Sequence, residues 1–391
     1  MEKASKFLPN SVTRTVLHYD PFPLVLKSGR ECYVTSVDNR EYLDFVSEFS
    51  AGMLGHSHPA ISKVAESTMA RGISLGGPSV EEGKLAALLT ARLPSIEKIR
   101  FCNSGTEANT MALTVACAYK KKTKILVFMN GYHGGFLGFG KTPNPGTLPL
   151  DFVMGEFNNT DQCKTFIDDT LAAIIIEPVQ GAGVIPASRE FLQFLRQAAD
   201  RTGAILIFDE VVTSRLHHSG MQGYHGITPD MTTIGKFFGG GFSFGAFGGK
   251  AAIMDILDSG AGGISHSGTF NNNAFSMRAG AVACELVSEE AITRTNALGD
   301  RLRDHINMCG RLASPPLIWA TGIGSMVGIH FAEPLKPKLI ETFFFFMLKE
   351  GIYIGKRGFL ALNIMHTAEH VERASVAIRR FVESLLTEDA S

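Results

Sequence analysis

The sequence predicts an α/β protein: a large domain with a mostly parallel sheet between helices, and a smaller α+β domain assembled from both chain ends. Three observations carry this expectation. Short apolar runs alternate with helical stretches through the middle of the chain, which is a β-α-β rhythm. Those runs are apolar on both faces, as strands covered by helices on each side must be. The two flanks read differently, with a meander before residue 50 and long helical patterns after about residue 290. At 391 residues the chain is too long for one small core and suits two or three structural units.

The elements follow in order. Residues 23–49 alternate as Leu24-Val25-Leu26, Cys32-Tyr33-Val34 and Tyr42-Leu43, the pattern of an antiparallel meander. Residues 99–102, 124–129, 172–176, 204–208 and 232–234 read as buried strands, and 106–119 and 189–202 as helices. After residue 290 come a long helical pattern, a strand-like stretch at 325–331 and the aromatic run Phe343-Phe344-Phe345-Phe346, read as a buried helix face. The expected division is 1–49 and 291–391 for the smaller domain and 50–290 for the larger.

Composition narrows the function. Hydrophobic residues at 45% and charged residues at 19% describe an ordinary globular chain rather than a disordered one. A net charge of −1 provides no global field for nucleic acid or an anionic membrane. Cysteines 32, 102, 117, 163, 284 and 309 show neither C-x-x-C nor zinc spacing, which favours reduced thiols, a reducing compartment and no metal site. No apolar run is long enough to span a bilayer, and residues 1–3 lack a signal-type core. A cytoplasmic protein is expected.

Three segments carry chemistry. Lys236 lies between an apolar strand and Gly239-Gly240-Gly241. An amine held among apolar and backbone groups loses hydration, which lowers its pKa and raises the reactive neutral fraction. Alone, it reads equally well as a lysine in a tight turn. Asn103-Ser104-Gly105-Thr106 lies where a strand turns into a helix, so exposed N–H groups and the helix dipole form an anion site, with helix capping served by the same geometry. No G-K-[ST] follows, so this is not a nucleotide-triphosphate loop. Asp209 closes the apolar run Ile205-Leu206-Ile207-Phe208, and a carboxylate buried there requires a partner. Ligands of such sheets sit beyond the carboxyl ends of the strands, so Asn103, Asp209 and Lys236 are expected to converge on one crevice. Tyr132-His133-Gly134-Gly135 adds a ring able to stack on a planar ligand. A phosphate cradle, a stacking ring, an aspartate for a pyridinium nitrogen and an activated lysine together fit pyridoxal 5′-phosphate.

The ordered motifs N-S-G-T-E-A at 103–108, G-Y-H-G at 131–134, E-P-V-Q-G at 177–181, F-D-E-V at 208–211, T-T-I-G-K at 232–236 and H-S-G-T-F at 266–270 resemble the class III aminotransferases, of pyridoxal-phosphate fold type I. The glutamate-1-semialdehyde aminomutases share that group, and the resemblance covers nearly the whole chain. It implies Lys236 as the Schiff-base lysine and proton shuttle, and Asp209 as the partner of the ring nitrogen. Ser104, Gly105 and Thr106 match the phosphate loop, Tyr132 the stacking ring and Val211 the apolar cover of the opposite ring face. Thr269 matches a threonine that reaches the phosphate from the neighbouring subunit, so a homodimer with shared active sites is implied. Thr13-Arg14-Thr15-Val16-Leu17, D-E-V-V-T-S-R-L from Asp209, Asn271-Asn272-Asn273 and Arg357-Gly358-Phe359 are similar to the β-phenylalanine aminotransferases. That narrower likeness implies an aromatic β-amino acid donor, 2-oxoglutarate as acceptor, and Arg14 and Arg357 as carboxylate holders. A guanidinium fork suits a carboxylate. The alternatives on the same scaffold are an aminomutase, an amino-acid racemase or a transaminase of α- or ω-amino substrates. A catalytically idle binding protein is disfavoured by the retained lysine, aspartate and phosphate loop.

Overall fold

The computed structural model describes residues 2–258 and 263–388. Its centre is a seven-stranded sheet in the order Lys98–Cys102, Gly245–Gly249, Met231–Gly235, Ile205–Asp209, Leu171–Ile176, Lys124–Phe128 and Phe152–Gly155. All neighbours pair in parallel except Gly245–Gly249, which runs antiparallel to the strands on both sides. Leu171–Ile176 and Ile205–Asp209 are buried at every position, which explains why their sequences show an apolar run rather than an alternation.

The strand at Gly245–Gly249 was not anticipated, because three of its five residues are glycine and glycine disfavours strands. Its position supplies the reason. A Cβ on Gly245 would lie 2.1 Å from the Ser104 carbonyl oxygen, and one on Gly249 would lie 2.5 Å from that of Asp230. Close backbone approach admits only glycine there. The edge strand Phe152–Gly155, half exposed and short, also escaped the sequence pattern.

Helices cover the sheet for local reasons. In Arg189–Thr202, Phe191, Leu192, Leu195, Ala198 and Ala199 form one buried stripe at helical spacing. Ser188 caps its start by accepting from the Phe191 N–H, and Gly203, at φ +71°, ends it. Gly105–Lys120 buries mainly small residues, Ala108, Ala112, Val115 and Ala116 with Leu113, so it lies close to the sheet. That closeness brings its one buried amide, Asn109, to the strand ends.

Both flanks contribute to smaller sheets. Leu26–Arg30, Tyr33–Ser36 and Glu41–Asp44 form the expected meander, and Ile352–Tyr353 joins it in parallel beside Glu41–Asp44. A second sheet combines Ile318–Ile323, Met326–Phe331 and Phe359–Ala361. The helices Glu289–Gly310, Lys336–Lys349 and Ala368–Glu388 accompany them, and one apolar cluster runs from Tyr19 and Phe45 to Phe381. Phe343 and Phe344 are buried in it, with Phe343 packed edge-on against Phe331 and Phe381. The aromatic run is therefore buried in part: Phe343 and Phe344 turn inward, whereas Phe345 is exposed. Among the described residues, no helix is long and apolar enough to cross a membrane.

Candidate active site

The parallel strands end on one row. Asp209 is in register with Thr233, two residues before Gly235, and Gly235 pairs with Gly245, which pairs with Cys102. Asn103, Asp209 and Lys236, which follow or close these strands, therefore share one crevice, as expected for this topology.

Ser104 caps the Gly105–Lys120 helix, its hydroxyl accepting from the Glu107 N–H at 3.1 Å. The Glu107 carboxylate reaches back to the Asn103 N–H at 2.8 Å. The first amide N–H groups of a helix have no acceptor within it and point outward with the positive end of its dipole. Gly105 is required where it stands, because a Cβ there would meet Val211 at 2.7 Å. Gly134, at φ +132°, leaves a Cβ no room beside Thr106, and the Gly135 N–H donates to the Thr106 hydroxyl at 3.2 Å. The glycine pair after Tyr132-His133 thus locks onto the loop.

Asp209 is buried and fully engaged. Its Oδ2 accepts from Asn109 Nδ2 at 2.7 Å and lies 2.7 Å from His133 Nδ1, while Oδ1 accepts from the Val211 N–H at 3.0 Å. Asn109 is itself held by the Thr233 hydroxyl, which donates to its Oδ1 at 2.6 Å, and by the His133 carbonyl. Burial works against a charge on His133, yet the bond to Asp209 prevails and its pKa is raised.

Glu177 is buried beside this pair and accepts from the N–H groups of Tyr132 and Gly181, each at 2.9 Å. Burial pushes its carboxyl up to about 7. Tyr132 itself is 60% exposed, on the rim of the crevice.

Lys236 sits at φ +54° immediately after its strand, and its Nζ donates to the Phe49 carbonyl at 2.6 Å. Burial, then the nearby charges of Arg14 and Arg215, bring its pKa down from 10.5 to about 8, against the opposing pull of Asp209 and Glu177. Phe49 belongs to an unusual segment. Ser47, Glu48, Phe49 and Ser50 all have φ between +44° and +74°, a left-handed turn without glycine. Such a conformation costs roughly 1–2 kcal/mol per residue, so the surroundings must enforce it.

The Arg14 guanidinium lies 4.7 Å over the Phe49 ring, and the Phe359 ring stacks on Phe49 at 6.3 Å. Phe359 follows Arg357 by two residues, through Gly358 at φ +81°. Both arginines are exposed. Thr269 is exposed too, its carbonyl accepting from the Ser74 hydroxyl, while Asn271 in the same loop accepts from Asn103 Nδ2 at 2.9 Å.

The structure thus gathers Ser104, Gly105, Thr106, Asp209, Val211 and Lys236 in one crevice, with Tyr132 on its rim. Asn109, Glu177, Phe49 and Arg215 were not anticipated, nor was the pairing of His133 with Asp209. Glu177 was discoverable by the signal that marked Asp209, a carboxylate closing a fully apolar strand. The others act through tertiary contacts that leave no local trace.

The family model of class III aminotransferases matches residues 16–139 and 152–382. The β-phenylalanine transaminase of Variovorax paradoxus is 41% identical over 97% of this chain and 91% of its own length. Glutamate-1-semialdehyde 2,1-aminomutase 2 of Lysinibacillus sphaericus is 33% identical over 96% of this chain and 94% of its own. Among solved structures, a β-phenylalanine aminotransferase from Variovorax paradoxus superposes with a TM-score of 0.95 at 40% identity, covering 98% of this chain and 92% of that one. A transaminase with pyridoxal phosphate bound gives a TM-score of 0.91 at 28% identity, covering 100% and 97%.

Proposed function

The chain belongs to the class III aminotransferases and is a pyridoxal-phosphate-dependent transaminase of fold type I; from that premise we propose that it moves the amino group of an aromatic β-amino acid to 2-oxoglutarate. The observation that carries the reading is the guanidinium of Arg14 over Phe49, whose own carbonyl receives the Lys236 amine. A carboxylate held by Arg14 would therefore lie one side chain away from the reacting amine. The similarity to the β-phenylalanine transaminase supports the donor class.

The residues suit the cofactor. A carboxylate already aimed by Asn109, His133 and the Val211 N–H matches a ring N–H, and a glycine-lined helix start matches a phosphate. When bound, pyridoxal phosphate supplies the carbonyl that takes up the amino group and a ring that accepts the electron pair of the broken C–H bond.

Ser104, Gly105 and Thr106 would hold the phosphate, Asp209 the ring nitrogen, and Val211 and Tyr132 the two ring faces. Thr269 would reach the phosphate of a second copy, which makes the working form a homodimer. The cytoplasm is the proposed location. Lys236 binds the cofactor at rest. Once displaced, its amine takes the proton from the substrate's amine-bearing carbon and returns it to the cofactor. Two exposed arginines allow two substrates of different reach. Arg14 would hold the carboxylate of the β-amino acid, and Arg357 that of the 2-oxo acid.

Mixing the holoenzyme with racemic β-phenylalanine, without any 2-oxo acid, tests this. The visible band of the lysine-bound cofactor should disappear and return when 2-oxoglutarate is added. A band unchanged by β-phenylalanine would overturn the donor assignment. Product accumulating with no 2-oxo acid required would point instead to an isomerase.

A further inference from the structure

The left-handed turn at residues 47–50 sends two consecutive carbonyls toward two cations. The Phe49 carbonyl accepts from Lys236 Nζ at 2.6 Å, and the Ser50 carbonyl accepts from Arg215 Nη1 at 3.1 Å. Four successive non-glycine residues at positive φ are avoided by a free chain. Each end of the turn is accordingly tied. The Asp44 carboxylate accepts from the N–H groups of Val46 and Ser47 at 2.7 and 3.2 Å. The Ser47 hydroxyl donates to the Ala361 carbonyl at 2.8 Å and accepts from Asn363 Nδ2 at 3.1 Å. The far end is fixed by Arg215.

Arg215 is itself anomalous. It is completely buried, and among the described residues its acceptors are neutral: the carbonyls of Ser50 and Leu362 and the hydroxyl of Ser325. A buried cation without an acidic partner is costly to keep. Hydrophobic packing alone would not select it at this position.

We propose that Arg215 is a positioning residue for transamination. It clamps the left-handed turn through Ser50, so that the Phe49 carbonyl holds the displaced Lys236 amine, and it stands beside that amine as an unneutralised cation. An amine that donates to a carbonyl keeps its lone pair directed elsewhere, free to accept a proton. The charged and titratable groups facing Lys236 are Arg14, Arg215, Asp209 and Glu177. His366, near Arg215, is held neutral by burial, its pKa down to about 3, and adds no charge to the balance. Removing Arg215 therefore leaves Arg14 as the one cation of this set. The inference rests on the proposed role of Lys236.

The test uses the holoenzyme converted by amino donor to its aminated cofactor form, in which the Lys236 amine is free. The pH dependence of Lys236 acetylation, read by peptide mass, gives its pKa. In Arg215→Gln this pKa should rise by about one unit, the usual effect of removing a neighbouring like charge. Turnover at pH 7 should fall about tenfold, with KM nearly unchanged. A variant that is merely less stable, with Lys236 titrating as in the native enzyme, would overturn the proposal.

Ser47→Ala loosens the turn from its other end and leaves every charge in place, so it serves if Arg215→Gln does not fold. Slower turnover with an unshifted Lys236 titration is expected; native turnover would refute the clamp. Borohydride reduction and peptide mapping separate the two levels. Cofactor fixed to another lysine would sink the site reading itself, whereas cofactor on Lys236 with an unmoved titration in Arg215→Gln sinks only the role of Arg215.

Discussion

Burial and the cations Arg14 and Arg215 bring Lys236 to about 8, so near neutral pH a usable fraction of its amine carries a free lone pair once substrate displaces it. In the proposed role, turnover should climb with pH on a limb centred near 8, and Lys236→Ala should lose on the order of a hundredfold or more. A pH–kcat profile flat through that range would contradict proton transfer by this amine. His56 permits a second prediction. Its hydrogen bonds to Asp44 at 2.8 Å and to Glu48 raise its pKa from 6.5 to about 9 against the effect of burial. The folded protein keeps a proton that the unfolded chain releases above about 6.5. The stabilisation is complete below that pH and is lost as pH rises through 9. The melting-temperature gap between the native protein and His56→Gln should accordingly shrink between pH 6.5 and 9.5. A constant gap would mean that packing of the ring against Gly29, not its charge, is what matters.

At the scale of elements, the site depends on how closely a helix start, a strand end and a loop can approach. Val211 fills the space that a side chain at Gly105 would need, at 2.7 Å. Gly105→Ala should weaken cofactor retention by about 1–3 kcal/mol, the usual effect of overpacking. Val211→Ala in the same chain should recover part of that loss. Dialysis of each variant against increasing phosphate, followed by the cofactor's absorbance, measures the retention. No recovery in the double variant would place the damage in the loop's own backbone. The same closeness accounts for the glycine-rich strand Gly245–Gly249, whose backbone lies against Ser104 and Asp230.

Taken as a whole molecule, the chain leaves an apolar surface beside Thr269. The Ser74 hydroxyl donates to the Thr269 carbonyl and the Ala274 N–H to the Ile73 carbonyl. These bonds place Leu75, 75% exposed, near Phe270, 57% exposed. Exposed apolar side chains on neighbouring segments suit an interface. In the proposed homodimer this patch would be covered, and Thr269 would reach the partner's phosphate. Sedimentation should show twice the chain mass, and Leu75→Asp should shift it toward the monomer with loss of bound cofactor. A monomeric native protein that retains its cofactor would refute the shared-site arrangement.

The sequence by itself determined the alternation of strands and helices, the cofactor and the family. Each rests on residues adjacent in the chain: an apolar run closed by Asp209, a glycine-flanked Lys236, a serine-capped helix. Periodicity and turn chemistry are local, so they survive in one dimension. Tertiary structure alone decided that a glycine-rich antiparallel strand enters the central sheet, since its stability derives from the neighbours its glycines admit. It also decided that Asn109 and His133 aim Asp209, and that residues 47–50 turn left-handed against Lys236 and Arg215. Those partners stand up to 187 residues apart in the chain. Contacts of that range are fixed by packing, and no local pattern of residue types records them.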